Sequence, residues 1–552
     1  MSRLPKEIYR DLADIVGEQF LSEDDCVTAS HDWFGLGADP STRTLLGKPP
    51  AVVVLPATTE QVAGIIKTCA RHGIKFKAHS TGYGNYAGVG TKGSVSIDLR
   101  RMNRLEVDHK NRMAIIEPYV TAGELLAEVM QHNLMCHIIG AGPIHSPLAS
   151  ATSMAGVGVP GNHTSNNSRN LLSLEWVTPE GEIVRIGSSG SDSGWFTGEG
   201  PGPGFRGMIR GVMGALGGLG VFTRIGYKLY PWAGPAALEW TGAHPQRGIK
   251  VPENFALYQL SWESWKDLTA ATYDIQHSRI AAFMTRTPPV AVGNIFAETN
   301  RAYYEAHAAG TLVEAARGET GKSWTLMLMA WSPTELKWKQ DVLMAILDQT
   351  FGRVVALRPD HEQILAANLV TSLYVARFNR MGSAAAVSLG IFDSFACIPK
   401  AIQHSEELLG DMQKPGGELL QADTEQNWMW PSEGRHIWTE NNPGANRFVS
   451  KSLVAAVEFI LRGFIKGEKD PVGITFFLFG PAADMFGKNL GNANVWMRRV
   501  KNAFDPQNLS DSKAFVGPQL SPEAKAWPFV KKVLFHRWLR PLLRKILAKQ
   551  FS

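Results

Sequence analysis

Residues 78–90 read AHSTGYGNYAGVG, with four glycines and three small hydroxyl or amide residues in thirteen positions. Such a loop is either a long surface turn or a cradle of backbone N–H groups for phosphate. Its neighbours decide how it is to be read. IKFKA (74–78) and SVSIDL (94–99) have the apolar and β-branched content of strands, so the loop runs from strand to strand. Upstream, AVVVL (51–55) is a further strand. TTEQVAGIIKTCARHG (58–73) places Val62, Ile65, Ile66 and Cys69 at helical spacing, with Thr58 and Gln61 as a capping box and Gly73 as a stop.

This grammar continues downstream. MAIIEP (113–118) is a strand and TAGELLAEVMQHN (121–133) a helix opened by Thr121 and Glu124. LEWVTPEGEIVRI (174–186) is a hairpin turning at Pro179–Glu180–Gly181, and GVFTRIGYKLYP (220–231) is a closing strand. Two more loops of small residues lie within the unit, GAGPIHSPLASATSMAGVGVPGNHTSNN (140–167) and GALGGLGVFT (214–223). A Rossmann fingerprint needs GxGxxG opening a helix. Here Gly82-x-Gly84-x-x-x-Gly88 has another spacing and leads to a strand. ARGETGKS (316–323) has Ala316 where a P-loop needs its first glycine. Three small-residue loops in one α+β unit fit a dinucleotide lying extended along them.

The order of these elements over residues 48–232, with FDPQNLSD (504–511) as an echo, resembles the FAD-binding domain of the vanillyl-alcohol oxidase and p-cresol methylhydroxylase superfamily. The resemblance implies an α+β fold. Its parts would be an N-terminal helical segment (1–47), a two-subdomain FAD domain (48–234), an α+β cap that meets the substrate (235–494), a return segment (495–517), and a linker with a basic amphipathic tail (518–552). It implies that Ser80, Thr81, Gly82, Tyr83, Gly84, Asn85, Tyr86 and Gly88 hold the FAD pyrophosphate. Ser146, Ser150, Ser153, Gly156, Gly158, Gly161 and Asn162 would line FAD beside the isoalloxazine, with Gly220 and Val221 of the third loop also against it.

Departures from the family narrow the chemistry. Histidyl-linked members carry a histidine in the first loop where Gly84 stands here, and His79 lies five residues earlier. Attachment through this loop is therefore not expected, and the linkage stays open. The acid and tyrosine of the phenol oxidisers are missing around GAGPIHS and GVGVPGN, and the cap has no GDGN metal motif. No metal is expected. His145 and His163 are candidate catalytic groups from the second loop. In TSLYVARFNRMG (371–382), Tyr374, Arg377 and Arg380 are candidates from the cap, able to bind an anion or to stabilise reduced flavin. The main reading is an FAD-dependent oxidoreductase acting on a hydroxylated or activated C–H organic substrate, with NWMW (427–430) hinting at a bulky apolar one. The alternatives are a D-2-hydroxy-acid dehydrogenase and a non-catalytic flavin-binding electron-transfer subunit.

The bulk numbers agree with a multidomain globular protein: 552 residues, 44% apolar, 19% charged. The four cysteines form no CxxC pair, which suits a reducing cytoplasm, and the charged N-terminus has no signal-peptide core. Seven lysines and arginines follow Trp527 with no acid among them, so the formal +5 comes from the tail over a slightly acidic body. That pattern does not suggest a nucleic-acid binder. In the tail, Phe535, Trp538, Leu539, Leu542, Leu543 and Ile546 form a stripe, with Arg537, Arg540 and Arg544 opposite. Two readings are open: an interfacial helix on the inner face of the cytoplasmic membrane, contacting lipid through 527–550, or a helix packed on the body or at a subunit contact of a homo-oligomer. A membrane location favours a quinone or a protein as electron acceptor. Pro541 would kink either helix.

Overall fold

The computed structural model describes residues 4–24, 48–82, 88–188, 199–200, 204–243, 246–288, 292, 296–309, 311, 321–372, 384–386, 389–409, 418–420, 427–441, 444–446, 449–475, 480–510, 513–535 and 540–551. Strands β1 (Leu21–Ser22), β2 (Val52–Val54), β3 (Phe76–His79) and β4 (Val95–Asp98) form one sheet in the order β1-β2-β4-β3. β4 lies parallel to both β2 and β3. Parallel neighbours cannot be joined by a hairpin, so the glycine loop is a crossover that starts at the C-terminal end of β3. The helix Thr59–Arg71 buries Val62, Ile65, Ile66 and Cys69 against this sheet, as its spacing requires. Burial pushes the Cys69 thiol up to about 12, so it stays protonated and serves as core.

The second sheet is antiparallel throughout. It comprises β5 (Leu105–Asp108), β6 (Met113–Ile116), β8 (Leu171–Val177), β9 (Ile183–Ile186) and β10 (Val221–Lys228), in the order β5-β6-β10-β8-β9; β7 (Leu134–Met135) pairs separately with Tyr230–Pro231. Gly181, at φ 82°, makes the tight turn between β8 and β9. The capping box of Thr121 and Glu124 is complete. At Thr58 the box is displaced: its hydroxyl caps Gln61, whose carboxamide accepts from Ala57 N–H.

Residues 235–494 include further sheets, called the cap below. One sheet pairs Phe255–Ser261 between Ser323–Met329 and Arg353–Val355. Another runs Asn427–Ser432, His436–Asn441, Leu389–Ser394, Ile474–Thr475. After the helix Ala493–Phe504 the chain returns to the first sheets. Phe76 N–H donates to Leu509 O at 3.0 Å and Gly220 N–H to Ser510 Oγ at 2.9 Å.

The tail differs from a free linker, and its second helix turns a basic residue to the body and apolar ones outward. Helix Pro522–Phe535 begins inside the stretch expected to be a linker, and Trp527 is buried edge-on to Phe486 at 5.3 Å. Pro541 sits at the start of helix Arg540–Phe551 and kinks nothing. Arg544 turns inward to pair with Glu418 and Glu458, because those carboxylates on the body offer it partners. Leu542 and Ile546 point outward, each more than half exposed. Trp538, Leu539 and Arg537 lie outside the described residues, as do the side chains of Phe535, Arg540 and Leu543. Among the described residues no helix is long and apolar enough to cross a membrane.

Candidate active site

A cleft with about 190 Å³ of water-accessible volume, open to solvent at its mouth, runs between the two sheets and under the cap. Three of its sides come from the small-residue loops. The end of β3 supplies Ala78, His79, Ser80, Thr81 and Gly82; the second loop supplies Gly140, His145, Ser146, Ser150, Ser153 and Gly156; the third supplies Leu216, Gly217, Gly220 and Val221. The fourth side is the cap, through Trp428, Trp430, Trp438 and Glu440. First and second loops are bonded directly, Thr81 Oγ1 accepting from Ser146 N–H at 3.0 Å. Lys77 Nζ donates to Gly88 O at 2.8 Å and so ties the two ends of the first loop.

Thr152 Oγ1 bonds Leu148 O inside the short helix Pro147–Ser153, which Ser146 caps at Ala149. Gly156 has φ 64°, and a Cβ there would meet Asn167 Cβ at 2.5 Å and overlap Ser150 Oγ. Only glycine fits that position. His137 fixes the same peptide from behind, with Nε2 at 2.8 Å from Gly156 O and Nδ1 at 2.8 Å from Thr164 Oγ1. Burial lowers its pKa to about 4, so the ring is neutral, with Nε2–H donating to the carbonyl.

The expected site residues divide into three groups. Ser80, Thr81, Gly82, His145, Ser146, Ser150, Ser153, Gly156, Gly220 and Val221 come together along the cleft. Gly158, Gly161, Asn162 and His163 do not line it. Gly161 and Asn162 pack the second loop against the cap, Gly161 O accepting from Glu433 N–H at 3.0 Å and Asn162 Nδ2 lying 3.3 Å from Met284 S, while Gly158 packs on Ile138 and the His163 ring lies 5.6 Å from that of Tyr230. Gly88 is described, whereas Tyr83, Gly84, Asn85 and Tyr86 fall outside the described residues, as do Tyr374, Arg377 and Arg380. Lys77, which sequence reasoning passed over, and His79, weighed there only as a flavin link, also line the cleft; their strand-end position was the available signal. The tryptophan wall was signalled by the alternation in NWMW, but Glu440 carried no motif. Burial pushes His145 down to about 4, so it is a neutral ring at the cleft wall, and burial lowers His79 as well.

A family model described as FAD binding domain matches residues 50–187. Structural likeness extends much further: p-cresol methylhydroxylase with substrate bound superposes with a TM-score of 0.69 at 16% identity, over 92% of this chain and 96% of that one. Residues 50–187 are an FAD binding domain, and the chain has the fold of p-cresol methylhydroxylase. Among curated relatives, the 4-cresol dehydrogenase [hydroxylating] flavoprotein subunit of Pseudomonas putida is 30% identical over 194 residues, 33% of this chain and 35% of that protein. An uncharacterized FAD-linked oxidoreductase of Mycobacterium tuberculosis is 28% identical over 237 residues, 41% of this chain and 46% of its own length. The matches thus span less than half of each of these relatives.

The flavin domain passes a test of fit on its own geometry. The trough passes all three small-residue loops in turn, as an extended dinucleotide needs. Along its walls, glycines at 82, 156, 217 and 220 have positive φ and bring bare backbone to the surface. Hydroxyl residues Ser80, Thr81 and Ser150 and the indoles of Trp428, Trp430 and Trp438 line the same trough. A group with an anionic middle and a flat aromatic head matches this lining.

Proposed function

We propose that the protein is an FAD-dependent oxidoreductase that oxidises a bulky, apolar organic substrate carrying a hydroxyl or another activated C–H bond. The observation that carries this reading is one trough lined both by the glycine-rich loops with their hydroxyls and by Trp428, Trp430 and Trp438. FAD, when bound, supplies the acceptor for a hydride. The chain's own residues do the rest. Backbone at Gly82, Gly156 and Gly220 leaves room for the cofactor, and Ser80, Thr81, Ser146, Ser150 and Ser153 offer it hydrogen bonds. The indoles exclude water and hold the substrate by burial of apolar area. His145, neutral and at the wall, is able to take a proton from a substrate hydroxyl.

The test is purification, an absorbance spectrum, acid precipitation to read the linkage, and anaerobic mixing with a panel of apolar alcohols. A yellow protein bleached by at least one of them is expected. Protein that stays colourless after reconstitution with FAD would sink the reading.

For the electron acceptor, a membrane quinone or a membrane-bound partner protein is supported by outward Leu542 and Ile546 and by exposed Phe529. Deleting residues 518–552 should then release the protein from anionic vesicles in a sedimentation assay. Equal sedimentation of both forms refutes that acceptor location.

A further inference from the structure

Gly156 and Val157 present two neighbouring backbone donors on the cleft side of the second loop. Ala155 O accepts from Ser168 N–H at 3.0 Å and Gly156 O from Asn167 N–H at 2.8 Å, so both carbonyls point at the turn Asn167–Asn170. In a trans peptide the C=O and the N–H point opposite ways, so the N–H groups of Gly156 and Val157 both point away from that turn. Ala155, Gly156 and Val157 line the cleft, whereas Asn167 and Ser168 do not. Among the described residues neither N–H has an acceptor, although Gly156 is buried. An orphaned buried N–H is rare in a folded chain. Two in succession about a left-handed residue such as Gly156, at φ 64°, make a concavity for an anionic oxygen.

His137 holds this arrangement from behind. Its Nε2–H is the second donor to Gly156 O, at 2.8 Å, and the residue is 1% exposed. Asn167 is itself fixed, its Nδ2 donating to Pro147 O at 2.8 Å and its Oδ1 accepting from the Tyr227 hydroxyl. With both lone pairs of Gly156 O engaged, the peptide is not free to turn over. A donor on the carbonyl also polarises the peptide and strengthens its N–H on the far side. The pair stands beside the indole wall: Val157 O accepts from Gly140 N–H at 2.8 Å, and a Cβ on Gly140 would sit 2.9 Å from the Trp430 ring.

We propose that the Gly156 and Val157 N–H groups stabilise the negative charge that bound flavin carries once reduced, and that His137 is the positioning residue that keeps them aimed at it. The inference rests on the flavin-oxidoreductase reading of this cleft. A hydride leaving a substrate C–H brings the flavin two electrons and one proton, while the substrate hydroxyl proton goes to a base, so the flavin gains one net negative charge. Dipoles already aimed at that charge stabilise it without reorganisation, and the neutral oxidised ring gains far less from them. Preference for the reduced form raises the reduction potential.

The test uses the FAD-loaded protein without substrate, its potential read by anaerobic equilibration with a reference dye. In His137→Leu the potential is expected to fall by about 30 mV, which is a tenfold loss of preference for the reduced form in a two-electron couple. His137→Gln, whose carboxamide can donate where the imidazole did, should restore the wild-type potential. The leucine variant strands no partner, because Gly156 O keeps Asn167 N–H and the Thr164 hydroxyl keeps Pro160 O at 2.9 Å. Should it still fail to fold, the wild type supplies a second readout. In mildly acidic buffer, where free reduced flavin is neutral, the photoreduced protein should keep the absorbance of the reduced anion. An unchanged potential in His137→Leu, equal falls in both variants, or a neutral reduced flavin in the wild type overturns the inference. Weakened flavin retention with an unchanged potential overturns it too, assigning the donors to the pyrophosphate, whose charge is the same in both states. Those outcomes come from a yellow protein, whereas failure of the functional reading itself shows as a protein that holds no flavin.

Discussion

Replacing Lys501 with methionine is expected to destabilise the protein by about 3–5 kcal/mol and to lower its flavin content in parallel, read by denaturant unfolding and by absorbance after gel filtration. Lys501 and Asp505 form an ion pair one helical turn apart, with side chains 2% and 1% exposed. Lys501 Nζ also donates to Gly218 O at 2.8 Å and to Ser510 O at 3.1 Å. Asp505 in turn accepts from Leu509 N–H at 2.7 Å and Ser510 N–H at 2.9 Å. One buried ammonium therefore joins the return segment to the third small-residue loop, whose Gly217 and Gly220 line the cleft. Removing it leaves a buried carboxylate without its cation and two carbonyls without a donor. The companion variant carrying Lys501→Met and Asp505→Asn together removes the stranded charge and should recover part of the loss. A single variant as stable as the wild type would show that the pair holds nothing together.

Gly220→Ala is expected to cost at least about 2 kcal/mol and to abolish flavin retention at micromolar protein, seen as a lowered Tm and a colourless eluate. Gly220 has φ 89°, outside the range an alanine adopts without strain. Space is missing as well: a Cβ there would overlap the Val177 carbonyl and stand 3.0 Å from Trp176 Nε1. Neither neighbour is able to move. Val177 is paired with Val221 at the start of the β8–β10 ladder, and Trp176 Nε1–H donates to Leu219 O at 2.6 Å. The alanine must displace the loop into the cleft or break the register of β10. Gly207→Ala is the matched control, because nothing lies within 4 Å of its Cβ and its φ is not positive. It should leave both readouts unchanged.

Local rules carried much of the flavin domain into view. The helices at 59–71 and 122–130 follow from apolar spacing and hydroxyl caps, and the 178–182 turn from a Pro-Glu-Gly run. The three small-residue loops were legible because a glycine at a close approach leaves a compositional mark whatever the distant partner is. The pairing of β3 with β4 was less so, because a strand followed by a glycine loop and a strand reads equally as hairpin or crossover; parallel register settles it. The tail shows the converse. Its amphipathic stripe was plain in the sequence, but the stripe does not say which surface covers it. Glu418 and Glu458 drew Arg544 to the body, and neither is adjacent to it in the chain.

By itself the sequence determined the local elements, the small-residue loops, and with them an FAD-binding domain, since periodicity, caps and glycine spacing act over a few residues. Only the tertiary structure decided which half of the second loop lines the cleft and which half packs on the cap. It likewise decided that Lys501 holds a loop 283 residues away, and that Glu440 stands among three tryptophans. Those contacts exist because a closed hydrophobic core brings distant segments together, and a chain carries no local record of the neighbour that burial will choose for it.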